Sequence, residues 1–278
     1  MAGTLYLVPT PIGNLGDISQ RMADTLAEVD FIAAEDTRVT LKLLNHFAIK
    51  KPMLSYHEHN ARQKGGEILT RILNGENCAI VTDAGMPCIS DPGEDLVRLC
   101  AENGVDIKVI PGPSAAISAL AVSGLDTSRF VFEGFLNPQK NARLERLEQL
   151  KNEQRTLIFY EAPHKLRPTL ADMLEVLGDR PVALCRELTK LHEETVRTTL
   201  SRAVALYQEK EPRGEYVLVV AGAQRAAGPA VTLDQGARQV LRLRQEGVRM
   251  KDAVRRTAEE TGLSRNDLYN AALAEMES

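Results

Sequence analysis

Three short loops rich in small residues follow predicted strands and could together hold a small ligand. They are residues 9–16 (PTPIGNLG), 82–87 (TDAGMP) and 111–116 (PGPSAA). Glycine and alanine let a ligand approach the backbone closely, and α/β folds bind ligands at the carboxyl ends of parallel strands. The first loop matches neither glycine-rich phosphate motif, and its prolines remove backbone donors. The loops therefore predict a cleft for a ligand with few phosphates.

Charged side chains stand beside these loops, where they could carry acid–base chemistry. They occur in residues 35–38 (EDTR), 57–60 (HEHN), 161–165 (EAPHK) and 186–190 (RELTK). Two histidines at i and i+2 are more typical of a polar loop than of a metal site. No G-x-S-x-G motif is present, which argues against an esterase-like triad. Two simpler explanations stay open: ion pairing within residues 35–38, and solvated charge at the strand ends for residues 161–165 and 186–190.

The composition is that of an average soluble globular protein. The 278 residues are 44% hydrophobic and 26% charged, with a net charge of −4 and no tryptophan. This balance disfavours a protein that is basic throughout, and 4% aromatic residues disfavour single-strand binding by stacking. The four cysteines form no C-x-x-C pair, so we expect reduced, mostly buried thiols and no metal site. The longest apolar stretch, residues 115–120, is too short for a membrane span, and a cytoplasmic protein is expected.

Short apolar strands alternate with helix-length amphipathic segments, which predicts an α/β fold with substantially parallel sheets. Two breaks, at residues 111–113 (PGP) and 223–231, predict α/β domains at 1–111 and 112–224 and a helical tail at 232–278. Asp91 and Asp17 are expected to cap helices. The predicted strands are Thr4–Val8, Phe31–Ala34, Cys78–Val81, Asp106–Ile110, Phe130–Phe132, Thr156–Tyr160, Val182–Cys185 and Tyr216–Val220. The predicted helices include Arg62–Leu73, Leu96–Glu102, Leu144–Lys151, Leu166–Leu177 and Leu200–Glu209.

The tail has the pattern of a helix-turn-helix. A basic helical segment ends at Gly262, and Ser264 with Asp267 predicts the capped start of a second helix. Residues 237–256 hold seven basic residues against two acidic ones, which fits either a solvated helix face or contact with phosphates. The basic residues are Arg238, Arg242, Arg244, Arg249, Lys251, Arg255 and Arg256.

Taken in order, these segments resemble the tetrapyrrole methylase family of S-adenosylmethionine-dependent methyltransferases, and within it the branch that modifies ribosomal RNA. The resemblance covers essentially the whole chain, and the combination of motifs is specific. The proline-bearing first loop and residues 33–38 (AAEDTR) separate this branch from the porphyrin-modifying branch. The matching segments are residues 5–19 (LYLVPTPIGNLGDIS), 33–38, 81–93 (VTDAGMPCISDPG), 111–116, 132–135 (FEGF), 159–166 (FYEAPHKL), 185–190 (CRELTK) and 214–220 (GEYVLVV).

The resemblance implies two α/β domains with S-adenosylmethionine between them, in a homodimer, and a small helical tail. The implied substrate is a cytidine ribose in the decoding region of 16S ribosomal RNA in the small subunit. The implied cofactor-binding residues are Pro11, Ile12, Gly13, Asn14, Asp83, Ala84, Gly85, Pro87, Ser114, Ala115, Tyr160, Glu161, Arg186, Glu187 and Leu188. The expected RNA-binding residues are Arg38, Arg242, Arg249, Lys251, Arg255 and Arg256.

A ribose hydroxyl is a poor nucleophile at neutral pH, so a nearby base would assist its methylation. The candidates are Glu35, Asp36, His57, Glu161 and Lys165, and positioning alone is the alternative. No metal is expected to take part. Two other functions are compatible with the sequence: carbon methylation of a tetrapyrrole, and a DNA-binding regulator that senses a small ligand.

Overall fold

The computed structural model describes residues 1–224 and 231–276. The chain divides into two compact units, Met1–Ala223 and Gln224–Ser278. Most of the break expected at residues 223–231 lies outside the described residues, as do the last two residues of the expected tail. Within the described part of the chain, no helix is long and apolar enough to cross a membrane.

The first sheet is parallel throughout, and its strand order is β3-β2-β4-β1-β5. The central strands β2 and β4 are buried along their whole length, as expected for a sheet with both faces covered. Separate apolar clusters cover the two faces. The strands are β1 (Thr4–Leu7), β2 (Phe31–Ala34), β3 (Met53–Ser55), β4 (Cys78–Val81) and β5 (Asp106–Val109), and the helices are α1 (Gln20–Glu28), α2 (Thr37–His46), α3 (Ala61–Leu73) and α4 (Glu94–Glu102).

The second sheet has the order β6-β7-β10-β8-β9, and only β6 and β7 in it are parallel. The expectation of substantially parallel sheets is therefore wrong for this half. Its helices pack on both faces, with α5 alone on the face that points to the first sheet's loops. The elements are α5 (Ala115–Ser123), β6 (Phe130–Phe135), α6 (Lys140–Leu150), β7 (Thr156–Glu161), α7 (Pro163–Leu177), β8 (Pro181–Arg186), β9 (Glu194–Thr199), α8 (Leu200–Glu209) and β10 (Tyr216–Val220).

The segment Pro111-Gly112-Pro113 connects the two sheets, between β5 and α5. Gly112 lies against Pro9: a Cβ on this glycine would stand 2.4 Å from the proline Cγ and 3.2 Å from the Met22 sulfur. The close approach brings the loop after β5 onto the loop after β1. Glycine is therefore required here for space.

Two expected helix caps are wrong. The helix α4 begins at Glu94, and its N-cap residue is Gly93 (φ +139°). The Asp91 carboxylate therefore does not cap this helix. The helix α1 is capped by Ser19, whose hydroxyl accepts from the Met22 amide at 3.2 Å, and not by Asp17.

The tail contains three helices, α9 (Leu233–Gln245), α10 (Met250–Thr261) and α11 (Arg265–Met276). Gly262 takes a left-handed conformation after α10, and the Ser264 hydroxyl accepts from the Asp267 amide at 3.4 Å, so the predicted turn and cap are confirmed. The basic segment spans two helices, because the chain turns at Gly247 (φ +91°). All of the basic side chains that were expected to bind RNA in the tail are exposed.

The four cysteines are free, and all except the half-buried Cys88 are buried. No group of three or more histidine, cysteine, aspartate or glutamate side chains that could hold a metal ion occurs in residues 1–224 and 231–276.

Candidate active site

A cavity of about 550 Å³ lies between the loops of the two sheets. The first sheet contributes the loops after β1, β2, β4 and β5, and the second contributes the ends of β6, β7 and β8 and the start of β10. Its lining residues are Ile12, Glu35, Asp83, Ala84, Gly85, Met86, Ile89, Ser90, Asp91, Ser114, Ala115, Phe135, Tyr160, Glu161, Ala162, Pro163, His164, Cys185, Glu187, Leu188, Lys190, Glu215, Tyr216 and Val217.

Backbone hydrogen bonds fix the loops on the first-sheet side. Thr10 and Gly85 exchange both amide–carbonyl bonds, at 2.9 and 3.0 Å, which ties the loop after β1 to the loop after β4. The loops after β2 and β4 are tied as well: the Asp36 amide donates to the Asp83 carboxylate at 3.2 Å, and the Asp83 amide donates to the Glu35 carboxylate at 3.3 Å. This wall of the cavity is therefore preorganised.

Tyr160 connects the second sheet to the start of α5. Its hydroxyl accepts a hydrogen bond from the Ala116 amide at 3.2 Å. Its ring forms T-shaped contacts with the rings of Phe132 and Phe135, at centroid distances of 5.0 and 5.5 Å. Glu161, next on the strand, is 4% exposed and accepts from its neighbour's amide and from the Thr169 hydroxyl at 2.5 Å. Its carboxylate therefore holds the start of α7 in place.

Lys190 closes one side of the cavity. Its ammonium lies 3.0 Å from the carboxylates of both Glu187 and Glu215, and its side chain passes so close to Gly13 that a Cβ there would meet the lysine Cγ at 2.4 Å. Glu187 and Thr189 have φ values of +51° and +66°. Left-handed conformations of non-glycine residues cost roughly 1–3 kcal/mol and concentrate at functional sites.

Three carboxylates face the cavity and form no ion pair within the part of the chain that the structure describes. Burial raises the pKa of each of Glu35, Asp83 and Asp91, and repulsion from neighbouring carboxylates adds to the effect. Asp91 is affected most, with a pKa of about 7. It is held in a loop where Cys88 and Ser90 both have positive φ, at +72° and +62°. This side of the cavity favours a ligand that carries positive charge.

Ten of the fifteen expected cofactor-binding residues line this cavity. Of the others, Pro11 and Gly13 line a smaller neighbouring cavity. Neither Asn14 nor Arg186 lines the large cavity. The Asn14 side chain accepts a hydrogen bond from the Gly16 amide, and Arg186 pairs with Glu194 at 3.1 Å. Pro87 is buried beside it. The ten are Ile12, Asp83, Ala84, Gly85, Ser114, Ala115, Tyr160, Glu161, Glu187 and Leu188.

The structure brings two of the five base candidates, Glu35 and Glu161, to the cavity. Asp36 instead caps α2 and pairs with Arg38 at 2.6 Å, which lowers its pKa to about 2. His57 lies in a turn that the Asn60 side chain closes, and neither it nor Lys165 lines the cavity.

Several lining residues were given no role at the site from the sequence alone. Asp91 was interpreted as a helix cap, although the same segment could have signalled a carboxylate at the site. Phe135 and Tyr216 lie in segments that carry the family resemblance, but no chemistry was assigned to them. Lys190 and Glu215 come together only through the antiparallel pairing of the second sheet, which the sequence did not predict.

Comparison with known proteins identifies the family. The family model of the tetrapyrrole (corrin/porphyrin) methylases matches residues 4–204, well over half of the chain. The chain belongs to the tetrapyrrole methylase family. A second model, the RsmI C-terminal HTH domain, matches residues 231–276 and so covers the three tail helices. The predicted family and fold class are confirmed.

Curated relatives in this family match along nearly their whole length. A protein of Synechocystis sp. named ribosomal RNA small subunit methyltransferase I is 48% identical over 272 residues, which is 98% of this chain and 98% of the relative. The protein of the same name from Escherichia coli O157:H7 is 45% identical over 276 residues, 98% and 95% of the two chains.

Solved structures with the same fold are more distant in sequence. A cobalt precorrin-4 methyltransferase aligns with a TM-score of 0.57 at 18% identity, covering 78% of this chain and 94% of the other. A uroporphyrin-III C-methyltransferase of Thermus thermophilus, complexed with S-adenosylhomocysteine, aligns with a TM-score of 0.56 at 16% identity, covering 79% and 97%. These similarities show the fold.

Membership in this methylase family confirms S-adenosylmethionine as the cofactor. The residues present fit it. The cavity volume lies within the range of ~300–1,000 Å³ that small-molecule sites occupy. Carboxylates such as Asp83 and Asp91 match its ribose hydroxyls and its positive charges, while Ile12, Leu188 and Val217 offer apolar surface for its adenine.

Proposed function

We propose that this chain transfers a methyl group from S-adenosylmethionine to the 2′-oxygen of a cytidine ribose in the decoding region of 16S ribosomal RNA. The observation that carries the proposal is the match to ribosomal RNA small subunit methyltransferases over nearly the whole chain. The preorganised, acidic cavity supports it, because a cationic methyl donor fits there. The helical tail, with its exposed arginines and lysine, supports an RNA substrate.

The cofactor, when bound, supplies an electrophilic methyl group. Asp83, Ser114, Ala115 and the neighbouring loop backbone hold it from the first-sheet side, and Tyr160 with Leu188 holds it from the second. Hydrogen bonds between protein groups tie these loops together. The loops therefore hold fixed positions from which the chain orients the cofactor.

Glu35 is the base that this geometry favours. It lines the cavity, and it accepts one hydrogen bond, from the Asp83 amide. Burial raises its pKa, which brings a carboxylate closer to the basicity needed at neutral pH. Glu161, the other base candidate that lines the cavity, accepts two hydrogen bonds, one from the Ala162 amide and one from the Thr169 hydroxyl. Glu35 thus takes the proton of the ribose hydroxyl as methylation proceeds.

The tail cations contact RNA phosphates. Arg242, Arg249, Lys251 and Arg256 are exposed, and no ion pair to them occurs among the residues that the structure describes. Arg255 is bound by Asp252 at 3.4 Å. Arg38 takes a flanking phosphate beside the cavity.

The active form is a homodimer that acts in the cytoplasm, where small ribosomal subunits are found. Exposed apolar side chains support the dimer: Val109 on the edge strand β5 is 53% exposed, and Ile117 and Val122 on the outer face of α5 are 51% and 37% exposed. Exposed apolar side chains on consecutive elements such as these are the kind of surface that an interface between subunits covers.

Calorimetric titration with S-adenosylmethionine tests the cofactor site. Ala84→Trp puts a large side chain into the cavity from an exposed loop position, and we expect it to abolish binding. Gly85→Trp is a poorer choice, because φ at Gly85 is +92° and any side chain would strain the backbone. Ala101→Trp, on the exposed face of α4, is the matched control and should bind normally. Equal binding by the Ala84 variant would remove this loop from the site.

The reaction is tested on small subunits that lack the modification. After incubation with S-adenosylmethionine, the RNA is digested to nucleosides and analysed by mass spectrometry. The proposal predicts 2′-O-methylcytidine. A base-methylated nucleoside would contradict it.

A further inference from the structure

A second cavity, of about 250 Å³, lies between the loop after β1 and the helix α2. It is separated from the large cavity by Asp83, which lines both. The proposed function gives this second cavity no role. Its lining residues are Thr10, Pro11, Gly13, Leu15, Val39, Thr40, Lys42, Leu43, Thr82 and Asp83.

One of the residues that line this cavity, Thr40, has a buried hydroxyl. Thr40 is 2% exposed, and its Oγ1 makes no hydrogen bond with any residue that the structure describes. By contrast, Thr10 donates its hydroxyl to the Thr82 carbonyl at 3.0 Å. Leaving a buried polar group unpaired costs ~1–3 kcal/mol, so such groups in folded proteins call for an explanation. A ligand atom that pairs with the Thr40 hydroxyl is such an explanation.

The rim of the cavity carries exposed apolar side chains and, on α2, exposed basic ones. Leu15 and Val39 line the cavity and are 44% and 38% exposed. Lys42 and Arg38 follow each other by one turn along α2, and both are exposed. Lys42 forms no ion pair among the described residues, whereas Arg38 forms an ion pair with Asp36. The rim thus suits a flat group with apolar faces, attached to a phosphate.

We infer that this second cavity binds one unstacked nucleobase of the RNA substrate, with the Thr40 hydroxyl bonded to the polar edge of the base. Sequence-specific RNA binding commonly takes splayed-out bases in this way. The volume suits a single base, since sites for larger ligands start near ~300 Å³. The inference rests on the proposed function, because the shared Asp83 places the bound nucleotide at the edge of the cofactor cavity.

Binding of cytidine 5′-monophosphate, followed by methyl NMR, tests the inference directly. We expect chemical-shift changes at the methyl groups of Leu15, Val39 and Leu43, which line the cavity. Thr40→Val removes the hydroxyl and keeps the side chain's branching, and it should weaken this binding by about 5- to 50-fold, the equivalent of one lost hydrogen bond to a buried group. Affinity for S-adenosylmethionine, measured by calorimetry, should stay within about twofold of wild type.

The matched control is Thr70→Val. Thr70 is also a helical threonine, and its hydroxyl already donates to the Gly66 carbonyl at 2.8 Å on the surface of α3. This variant should bind the nucleotide as wild type does. Val39→Trp is a second, independent test, because it blocks the rim from an exposed position and does not alter the core.

The possible results separate the inference from the proposed function. If wild type methylates RNA while the Thr40 and Val39 variants bind the nucleotide normally, the inference is overturned and the proposed function stands. If the nucleotide changes the chemical shifts of the Leu15, Val39 and Leu43 methyl groups, and the variants lower its affinity, the inference holds. This is so even where no RNA methylation is detected. Shifts confined to the lining of the large cavity would also overturn it.

Discussion

Replacing Asp91 with asparagine is expected to stabilise the folded chain at pH 8 and to leave its stability nearly unchanged at pH 4. Burial and the nearby carboxylates of Glu35 and Asp83 raise the Asp91 pKa from its ordinary value near 4 to about 7. No hydrogen bond or ion pair to its carboxylate occurs in the part of the chain that the structure describes. Ionising Asp91 therefore opposes folding, and asparagine removes that opposition.

The sign and size follow from proton linkage. A raised pKa means that the folded chain binds more protons than the unfolded chain between about pH 4 and pH 7, so Asp91 lowers the free energy of unfolding as the pH rises through that window. The full effect of such a shift is ~4 kcal/mol. Asp91 is only partly buried, and solvent screening reduces the expected gain to about 1–2 kcal/mol.

Thermal unfolding followed by circular dichroism from pH 4 to pH 8 measures this gain. At pH 8 the melting temperature of Asp91→Asn should exceed that of wild type by ~2–8 °C, and at pH 4 the two should agree. Asp17→Asn, at an exposed position away from the cavity, is the control. Its melting temperature should equal that of wild type at both pH 4 and pH 8. An equal gain at pH 4 and pH 8, or no gain at pH 8, would refute the reasoning.

Three further predictions concern the base, the connecting loop and the tail. Glu35→Gln should lower kcat by ~10²–10⁴-fold and keep S-adenosylmethionine affinity within a few-fold in calorimetry, and an unchanged kcat would exclude Glu35 as the base. Gly112→Ala should lower the free energy of unfolding by ~1–3 kcal/mol in urea titrations, because its Cβ would overlap the Pro9 ring; wild-type stability would show that the loop can move aside. The double variant Arg242→Ala, Lys251→Ala should reduce the salt dependence of RNA binding. The slope of log affinity against log salt concentration should become shallower by ~1.4, whereas an unchanged slope would mean that these cations face solvent.

The sequence predicted the buried strands and missed two at sheet edges. Strands such as β4 and β10 are apolar throughout, and their boundaries agree with prediction within a residue. The missed β3 has three residues, and β9 (Glu194–Thr199) is largely polar because one of its sides has no neighbouring strand. Local pattern also carries no information on strand direction, which explains why the antiparallel pairs of the second sheet were not expected.

The loops of the site were predictable, but several of the groups that give it its charge were not. Gly85 and Ala115 belong to small-residue loops at strand ends, a local signal with a physical reason. Asp91 was missed because its segment also satisfies the rules for a helix cap, and the choice depends on the φ of Gly93. Lys190 and Thr40 owe their surroundings to residues far along the chain, so their roles emerge only in the folded structure.

Methyl transfer to the small ribosomal subunit is the sharpest test of the proposed activity. The protein is incubated with tritiated S-adenosylmethionine and small subunits from a strain that lacks it, and the label is then located in the RNA. The proposed function predicts label at a single cytidine 2′-oxygen in the decoding region. Label on a base or at many positions, or none in either intact subunits or free 16S RNA, would contradict it.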